Sequence, residues 1–329
     1  MGVTSLGKDH TWEINLAARA AWMSYVGEKT QSEIAKSLGV SSARVHRLIQ
    51  LAKHQGIVRI HIEGRPAECL GLETEISDQY GLRSCTISPY LTREEDSAAL
   101  HLASIGQAAG QLLAQHLMQP HVKSVTIGTG SALRAAIEAM PLVPQPELAI
   151  YPATGCLSQD LQSSALEALT LIERRTGARA HQIPAPFMPS TSTQAVEFPA
   201  LRPIKQLLES SAKSDLMVTS LQKVSAKSGL IDDGLVSATQ VGSLLEFGAI
   251  VELFGTFFNA QGQPISNQSA PKAISLDRDV LFSQIEQKKC RTIVVAAEQE
   301  CVPELRAALS TGIITDIVMH ESLATSLML

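Results

Sequence analysis

The stretch SVTIGTGSALRAAIEAM, Ser124–Met140, decides the fold class. Val125, Thr126 and Ile127 form a β-branched run that stops at Gly128-Thr129-Gly130-Ser131. An alanine-rich helical segment follows. Strand, glycine turn and helix in that order make the repeating unit of a parallel sheet with crossover helices. At such a turn, backbone N–H groups and the helix N-terminus can approach an anion or a cluster of hydroxyls. Thr129 and Ser131 add hydroxyl donors. The run does not extend to GxGxxG, because Leu133 occupies the last glycine position, and no GK[ST] follows. Dinucleotide and Walker-type phosphate sites are therefore excluded, and no cofactor is expected.

The same alternation runs outward on both sides. Strands are expected at Ser84–Ser88, Ala149–Tyr151, Asp215–Ser220, Ala249–Phe254, Thr292–Ala297 and Ile314–Met319. Helices are expected at Leu72–Tyr80, Ser97–Met118, Asp160–Thr176 and Pro303–Ser310, with a last helix closing the chain. The strand at Ala149–Tyr151 ends in a second small-residue loop, Thr154-Gly155-Cys156. It either forms the opposite wall of the crevice or is a plain strand-end turn.

Upstream of residue 64 the pattern changes. Ile14–Val26 reads as a helix with Leu16, Ala17, Ala20, Ala21 and Met23 on one stripe, ended by Gly27. Thr30-Gln31-Ser32-Glu33 is a capping box that opens a short helix with Ile34, Ala35 and Leu38 inward. Gly39-Val40 turns the chain, and Ser41 or Ser42 caps a third helix to about Gln55. On it, Val45, Leu48, Ile49 and Ala52 form a core stripe. Two short helices joined by a tight glycine turn, the second exposing donors, make a helix-turn-helix. On this reading Arg44, His46, Arg47 and Gln50 face base edges in the major groove, where Arg suits guanine and Gln adenine. Ser41, Ser42 and Lys53 meet the backbone phosphates, Thr30 and Gln31 are further DNA-binding candidates, and Ile57–Ile62 is a wing strand. The alternative is an ordinary three-helix unit with a solvated polar face.

Charge follows this division. Residues 1–63 carry eight Lys/Arg against five acids, a net +3, while the whole chain is −5. A basic head on an acidic body has the sign expected of a DNA-binding module. The length of 329 residues exceeds what one core usually serves, so two domains are expected, 1–63 and 64–329, joined by a linker from Glu63 to Cys69. The 45% hydrophobic content is enough for packed cores. Five cysteines without CxxC spacing argue for reduced thiols in the cytoplasm, and no metal site is expected. No apolar run approaches a membrane span. Trp12 and Trp22 either join an assembly through the leading helix or are core, and core is the expectation for Trp22.

The run TQSEIAKSLGVSSARVHRLIQLAKHQGIVRIHI, Thr30–Ile62, resembles the SorC family of sugar-responsive regulators, whose pattern is TQxEIAxxLGxSRxxVxRLLxxAxxxGxVxI. Ser42 departs from it, where Arg is common. The His46–Ile49 variant is similar to members that regulate polyol catabolism, such as erythritol regulators. The resemblance continues through VTIGTGSAL (Val125–Leu133), ATGCL (Ala153–Leu157), Gly248–Ile265 and Ile293–Ala324. It implies a Rossmann-like effector domain related to glucosamine-6-phosphate deaminase and ribose-phosphate isomerase, without catalysis and binding sugars or sugar phosphates. It also implies operator DNA as a partner. One helix-turn-helix offers too little contact for tight binding, so a homodimer or homotetramer is expected.

Two departures bear on the ligand. In the family's GDIxGxFFDxxG run, Glu252 stands at the first acid and Asn259 at the second. In its GGxxK run, Cys301 stands at the Lys and Ala297-Glu298 at the glycine pair. A thiol beside Glu298 and Glu300 disfavours a phosphate dianion, which points to an unphosphorylated sugar or polyol, unless Arg179 or Lys223 supplies the charge. Two other readings stand beside this one. An active sugar-phosphate isomerase or deaminase would need a poised acid/base pair, for which Glu252, Asp160 and Glu298 are candidates by type only. In the other reading the large domain serves oligomerisation alone.

Overall fold

The computed structural model describes residues 6–58, 64, 66–90, 98–158, 164–267, 269–298 and 300–329. The chain divides into two compact units, Met1–Glu63 and Gly64–Leu329.

The first unit packs α1 (Leu6–Ala21), α2 (Gln31–Leu38) and α3 (Ser42–His54), with a π-helical turn at Trp22–Val26 after α1. Its core is Ala17, Ala20, Ala21, Ile34, Ala35, Val45, Leu48, Ile49 and Ala52. Five of these nine are alanines, and they fall at helical spacing, so the helices approach closely. The capping box is present: the Glu33 N–H donates to Thr30 Oγ1 at 3.4 Å, and the Thr30 N–H to Glu33 Oε2 at 2.8 Å. Gly39 ends α2 at φ +65°, a conformation that costs other residues energy, and Ser41 caps α3. The helix expected from Ile14 begins eight residues earlier. Both tryptophans are exposed, Trp22 at 67%, so Trp22 is not core. The expected wing strand Ile57–Ile62 lies outside the described residues from Arg59 onward.

The second unit is built on a six-stranded parallel sheet. Its strands are β1 (Ser84–Ser88), β2 (Ser124–Ile127), β3 (Ala149–Pro152), β4 (Leu216–Ser220), β8 (Arg291–Ala296) and β9 (Asp316–His320). Their spatial order is β1-β9-β8-β4-β2-β3. β5 (Gln222–Lys223), β6 (Val251–Leu253) and β7 (Thr256–Phe258) form a separate antiparallel sheet. The expected strand at Ala249–Phe254 is therefore not a member of the parallel sheet. Period alone does not distinguish a hairpin strand from a crossover strand. The expected linker is also shortened, because α4 (Ala67–Tyr80) already includes Cys69, which is fully buried.

One helix pair fixes the orientation that matters for the site. α5 (Ala98–Leu117) lies directly on α6 (Ser131–Ala139), and a Cβ at Gly110 would come within 2.4 Å of the Ala136 carbonyl oxygen. Backbone-to-backbone packing holds α6 with its N-terminus at the carboxyl end of β2.

At the opposite end of the sheet, Asp316 is fully buried and ties three strands together. It accepts from Ser84 Oγ at 2.5 Å, Thr315 Oγ1 at 2.6 Å and Arg291 Nε at 3.0 Å. Removing one member of such a pair leaves the other charge poorly solvated. Asp316→Ala is expected to lower the unfolding free energy by about 3–5 kcal/mol in urea titrations. A loss below about 1 kcal/mol would contradict this account.

Candidate functional site

From β2 the chain moves outward to the edge strand β3, then returns across β2 to β4. The direction of strand succession therefore reverses between β2 and β4. In open α/β sheets this switch point opens a crevice at the carboxyl ends of the strands. Gly128-Thr129-Gly130-Ser131 leaves β2 at that point. The Gly128 N–H donates to the Val218 carbonyl at 2.8 Å, and the Ser220 N–H to the Thr129 carbonyl at 3.1 Å. A Cβ at Gly128 would lie 2.2 Å from Thr219 Oγ1, and one at Gly130 (φ +111°) 2.5 Å from Ser220 Oγ. Both glycines are thus required by close approach to the end of β4. Ser220 Oγ also accepts the Leu133 N–H at 2.9 Å, within the first turn of α6. Among the described residues no hydrogen bond uses the N–H groups of Ser131 and Ala132.

One buried polar group of this turn, and two of the small sheet whose β5 abuts it, lack partners. Thr129 Oγ1, Gln222 Nε2 and Glu252 Oε2 have no hydrogen bond among the described residues. Gln222 lies against the glycine turn, since a Cβ at Gly130 would sit 3.2 Å from its Cδ. Glu252 stands opposite Gln222 in the β5–β6 pairing, so both side chains share one face of the small sheet. Its other oxygen accepts from the Gly255 N–H. Phe254 (φ +51°) and Gly255 (φ +82°) give the β6–β7 hairpin the two left-handed residues of a type I′ turn. Burial pushes the Glu252 carboxyl up to about 7, with only the Gly255 bond opposing.

Two described cations of this region, Arg134 and Lys223, already face carboxylates. Arg134, on the first turn of α6, reaches both Asp233 oxygens at 3.3 Å and lies 3.8 Å from Glu167. Arg134 and Asp233 line a narrow cavity of about 10 Å³ with Gly128, Thr129, Gly130, Ala168 and Leu235. That is room for about one water molecule, so admitting a sugar requires the walls to part. Lys223 Nζ is 3.0 Å from Glu304, whose hydrogen bond raises the lysine's pKa. Cys301 is fully buried and donates to the Glu298 carbonyl at 3.0 Å. Burial, with Glu298 and Glu304 nearby, pushes its thiol up to about 12. No group of three or more His, Cys, Asp or Glu among the described residues is arranged to hold a metal ion.

The remaining expected residues lie elsewhere. Thr154, Gly155 and Cys156 do not line the small space. The Gly155 N–H donates to Ile274 and the Cys156 N–H to Ile183, and the Cys156 side chain belongs to the main core. Thr154 does touch the hairpin, where a Cβ at Gly255 would lie 2.9 Å from its Cγ2. Asn259 is a turn residue: its Oδ1 accepts the N–H groups of Gln261 and Gln263, both at 3.0 Å. Its turn packs on the helix Val302–Ser310, because Gly262 abuts Ala307 and Ser310. The structure does not bring Asn259 to the crevice. Arg179 is exposed on its own loop, and Asp160 lies outside the described residues. Gln222, Arg134 and Asp233 were not foreseen. Arg134 was within reach of the sequence, as the first cation after the glycine turn. Gln222 and Asp233 arrive from distant segments and left no local signal.

In the first unit, Ser41, Ser42, His46, Arg47 and Lys53 are exposed along α3, with Thr30 and Gln31 exposed at the start of α2. The Thr30 hydroxyl is engaged with Glu33 in the cap. Gln50 is half-buried, as is Arg44, whose guanidinium lies 5.7 Å from the centre of the Trp12 ring. Lys53 Nζ lies 5.9 Å from the centre of the Tyr25 ring.

Residues 64–329 match the family model described as "Putative sugar-binding domain". The erythritol catabolism regulatory protein EryD of Brucella abortus (strain 2308) is 28% identical over 313 residues, covering 95% of this chain and 96% of that one. The transcriptional regulator LsrR of Escherichia coli (strain K12) is 23% identical over 317 residues, covering 94% and 93%. Among solved structures, the full-length sorbitol operon regulator SorC from Klebsiella pneumoniae has a TM-score of 0.67 at 21% identity, covering 96% of this chain and 99% of that one. A DeoR family transcriptional regulator from Listeria monocytogenes has a TM-score of 0.68 at 18% identity, over 79% and 99%. With its second unit matched end to end by that model, the chain belongs to the sugar-binding-domain family of SorC-type transcriptional regulators.

Proposed function

We propose that this chain is a DNA-binding regulator of a carbohydrate or polyol catabolic operon, whose operator affinity is set by a small effector in the β2–β4 crevice. The observation that carries the effector reading is the trio of buried, unpartnered groups Thr129 Oγ1, Gln222 Nε2 and Glu252 Oε2. Leaving such groups unpaired costs about 1–3 kcal/mol each. A ligand with several hydroxyls would recover that cost by donating to Glu252, accepting from Gln222 and exchanging with Thr129. The N-terminal helices support the DNA half: α2, the Gly39 turn and the Ser41-capped α3 have the form of a helix-turn-helix. A single such module gives a small interface, so a homodimer or homotetramer is the working assembly.

The electrostatics favour an unphosphorylated effector. Arg134 and Lys223 face Asp233, Glu167 and Glu304, so a phosphate dianion would have to displace carboxylates rather than meet free cations. An enzyme would need two titratable groups poised over one substrate carbon. Glu252 has no second titratable side chain hydrogen-bonded to it among the described residues, which supports a sensor without turnover. No described helix is long and apolar enough to cross a membrane.

Free polyols and pentoses are expected to raise the melting temperature of the full chain and to change the mobility of its operator complex, while their phosphates have little effect. Binding of the phosphates alone at micromolar concentration would refute the uncharged-effector reading. The absence of any effect on operator binding would favour a domain that only oligomerises. Gln222→Leu fills its site with an apolar group of similar size and is expected to abolish the polyol-induced shift while leaving the fold intact.

Glu252 also makes a pH prediction. Its pKa is raised from 4.5 to about 7 in the folded chain. The carboxyl's contribution to stability is therefore complete below pH 4.5 and lost as the pH rises through 7. Glu252→Gln, measured without effector, is expected to match the parent near pH 4 and to exceed its stability at pH 8, by on the order of 3 kcal/mol. Parallel pH profiles for the two proteins would overturn this.

A further inference from the structure

Trp12 and Tyr25 belong to the leading helical segment, and both are exposed, at 56% and 42%. Each nevertheless lies against a cation of α3: Trp12 against Arg44 at 5.7 Å and Tyr25 against Lys53 at 5.9 Å. Where those cations sit on α3 follows from helix geometry. Val45, Leu48, Ile49 and Ala52 are buried and define the inward direction. At about 100° per residue, Arg44 falls about 90° to one side of that direction and Lys53 about 90° to the other. Ala43, Arg47 and Gln50 fall within about 30° of the outward direction.

A helix seated in the major groove turns its outward face to the base edges and its two flanks to the two phosphate backbones. We infer that Arg44 and Lys53 are phosphate contacts on the opposite walls of the groove, held apart by Trp12 and Tyr25, and that Arg47 and Gln50 carry base discrimination. This rests on the reading of α3 as the DNA-binding helix, and it moves Arg44 from the base edges to the backbone. The aromatic rings act as positioning residues. Long cationic side chains lose rotamer freedom on binding a phosphate, and a ring that already restricts them reduces that loss. The contact does not compete with DNA. A guanidinium can keep its face on an indole while its edge donates to phosphate, and a charge-assisted bond is stronger than an exposed cation–π contact.

The test uses the full chain and two duplexes of equal length, one selected from random sequence by the protein itself and one with that sequence scrambled. Binding is measured across a salt series. Arg44→Ala and Lys53→Ala are each expected to weaken both duplexes by the same factor and to flatten the log K against log salt slope by about 0.9 per bound protomer. Trp12→Leu and Tyr25→Leu should weaken both duplexes roughly 3- to 10-fold with the slope kept, because the charges remain. Trp12→Phe should restore most of the loss. Arg47→Ala should instead collapse the ratio of selected to scrambled binding by at least about 10-fold. In a Trp22→Phe background, Trp12 emission should change on binding either duplex. Arg44→Ala that alters the ratio but not the slope would make Arg44 a base reader and overturn the inference. So would Trp12→Leu that binds as the parent does. If Arg44→Ala and Arg47→Ala both leave binding unchanged, the DNA-binding reading of α3 falls as well, a distinct result.

Discussion

The second unit depends on one close contact: the glycine turn after β2 lies directly on the end of β4. Thr219 and Ser220 occupy the space that a side chain at Gly128 or Gly130 would need. That approach lets Ser220 hydrogen-bond the first turn of α6 and brings Gln222, two residues further on, against Gly130. A switch point in a parallel sheet provides a crevice by topology alone. Here the absence of two Cβ atoms sets how closely its walls meet, and so which polar groups share it.

The polar character of the crevice is unusual in its balance. Thr129, Gln222 and Glu252 are buried with an unpaired atom each, while the neighbouring cations are already spent on carboxylates. A site of this kind rewards neutral hydroxyls and resists added negative charge. Cys301 fits the same picture. It is a buried, protonated thiol at the start of the helix Val302–Ser310, with Lys223 nearby but committed to Glu304. Among the described residues, Lys223 is thus not a free cation standing in for a lysine at position 301.

The first unit follows a different economy. Its small core permits tight helix packing, and its polar residues are sorted around α3 by what lies beneath them. Arg44 and Lys53 rest on aromatic rings at the flanks, whereas His46 and Arg47 stand clear.

Much of this was legible in the residues themselves. The capping box at Thr30–Glu33, the left-handed Gly39, the Val45–Ala52 stripe and the strand–glycine–helix run at Ser124–Met140 are local features, each set by hydrogen bonds or periodicity within a few residues. The tertiary structure alone decided what met at the crevice. Gln222 and Asp233 come from segments about 90 to 100 residues beyond the glycine turn, and nothing in their own neighbourhoods marks them. Asn259 and Cys156 had suitable chemistry at matching positions, yet backbone turns and core packing claimed them. Trp22 was expected inside and lies outside. Local sequence specifies which element forms, because its hydrogen bonds close within the element. Which side chains share a site depends on long-range packing, where burial and charge pairing select among candidates the chain itself ranks equally.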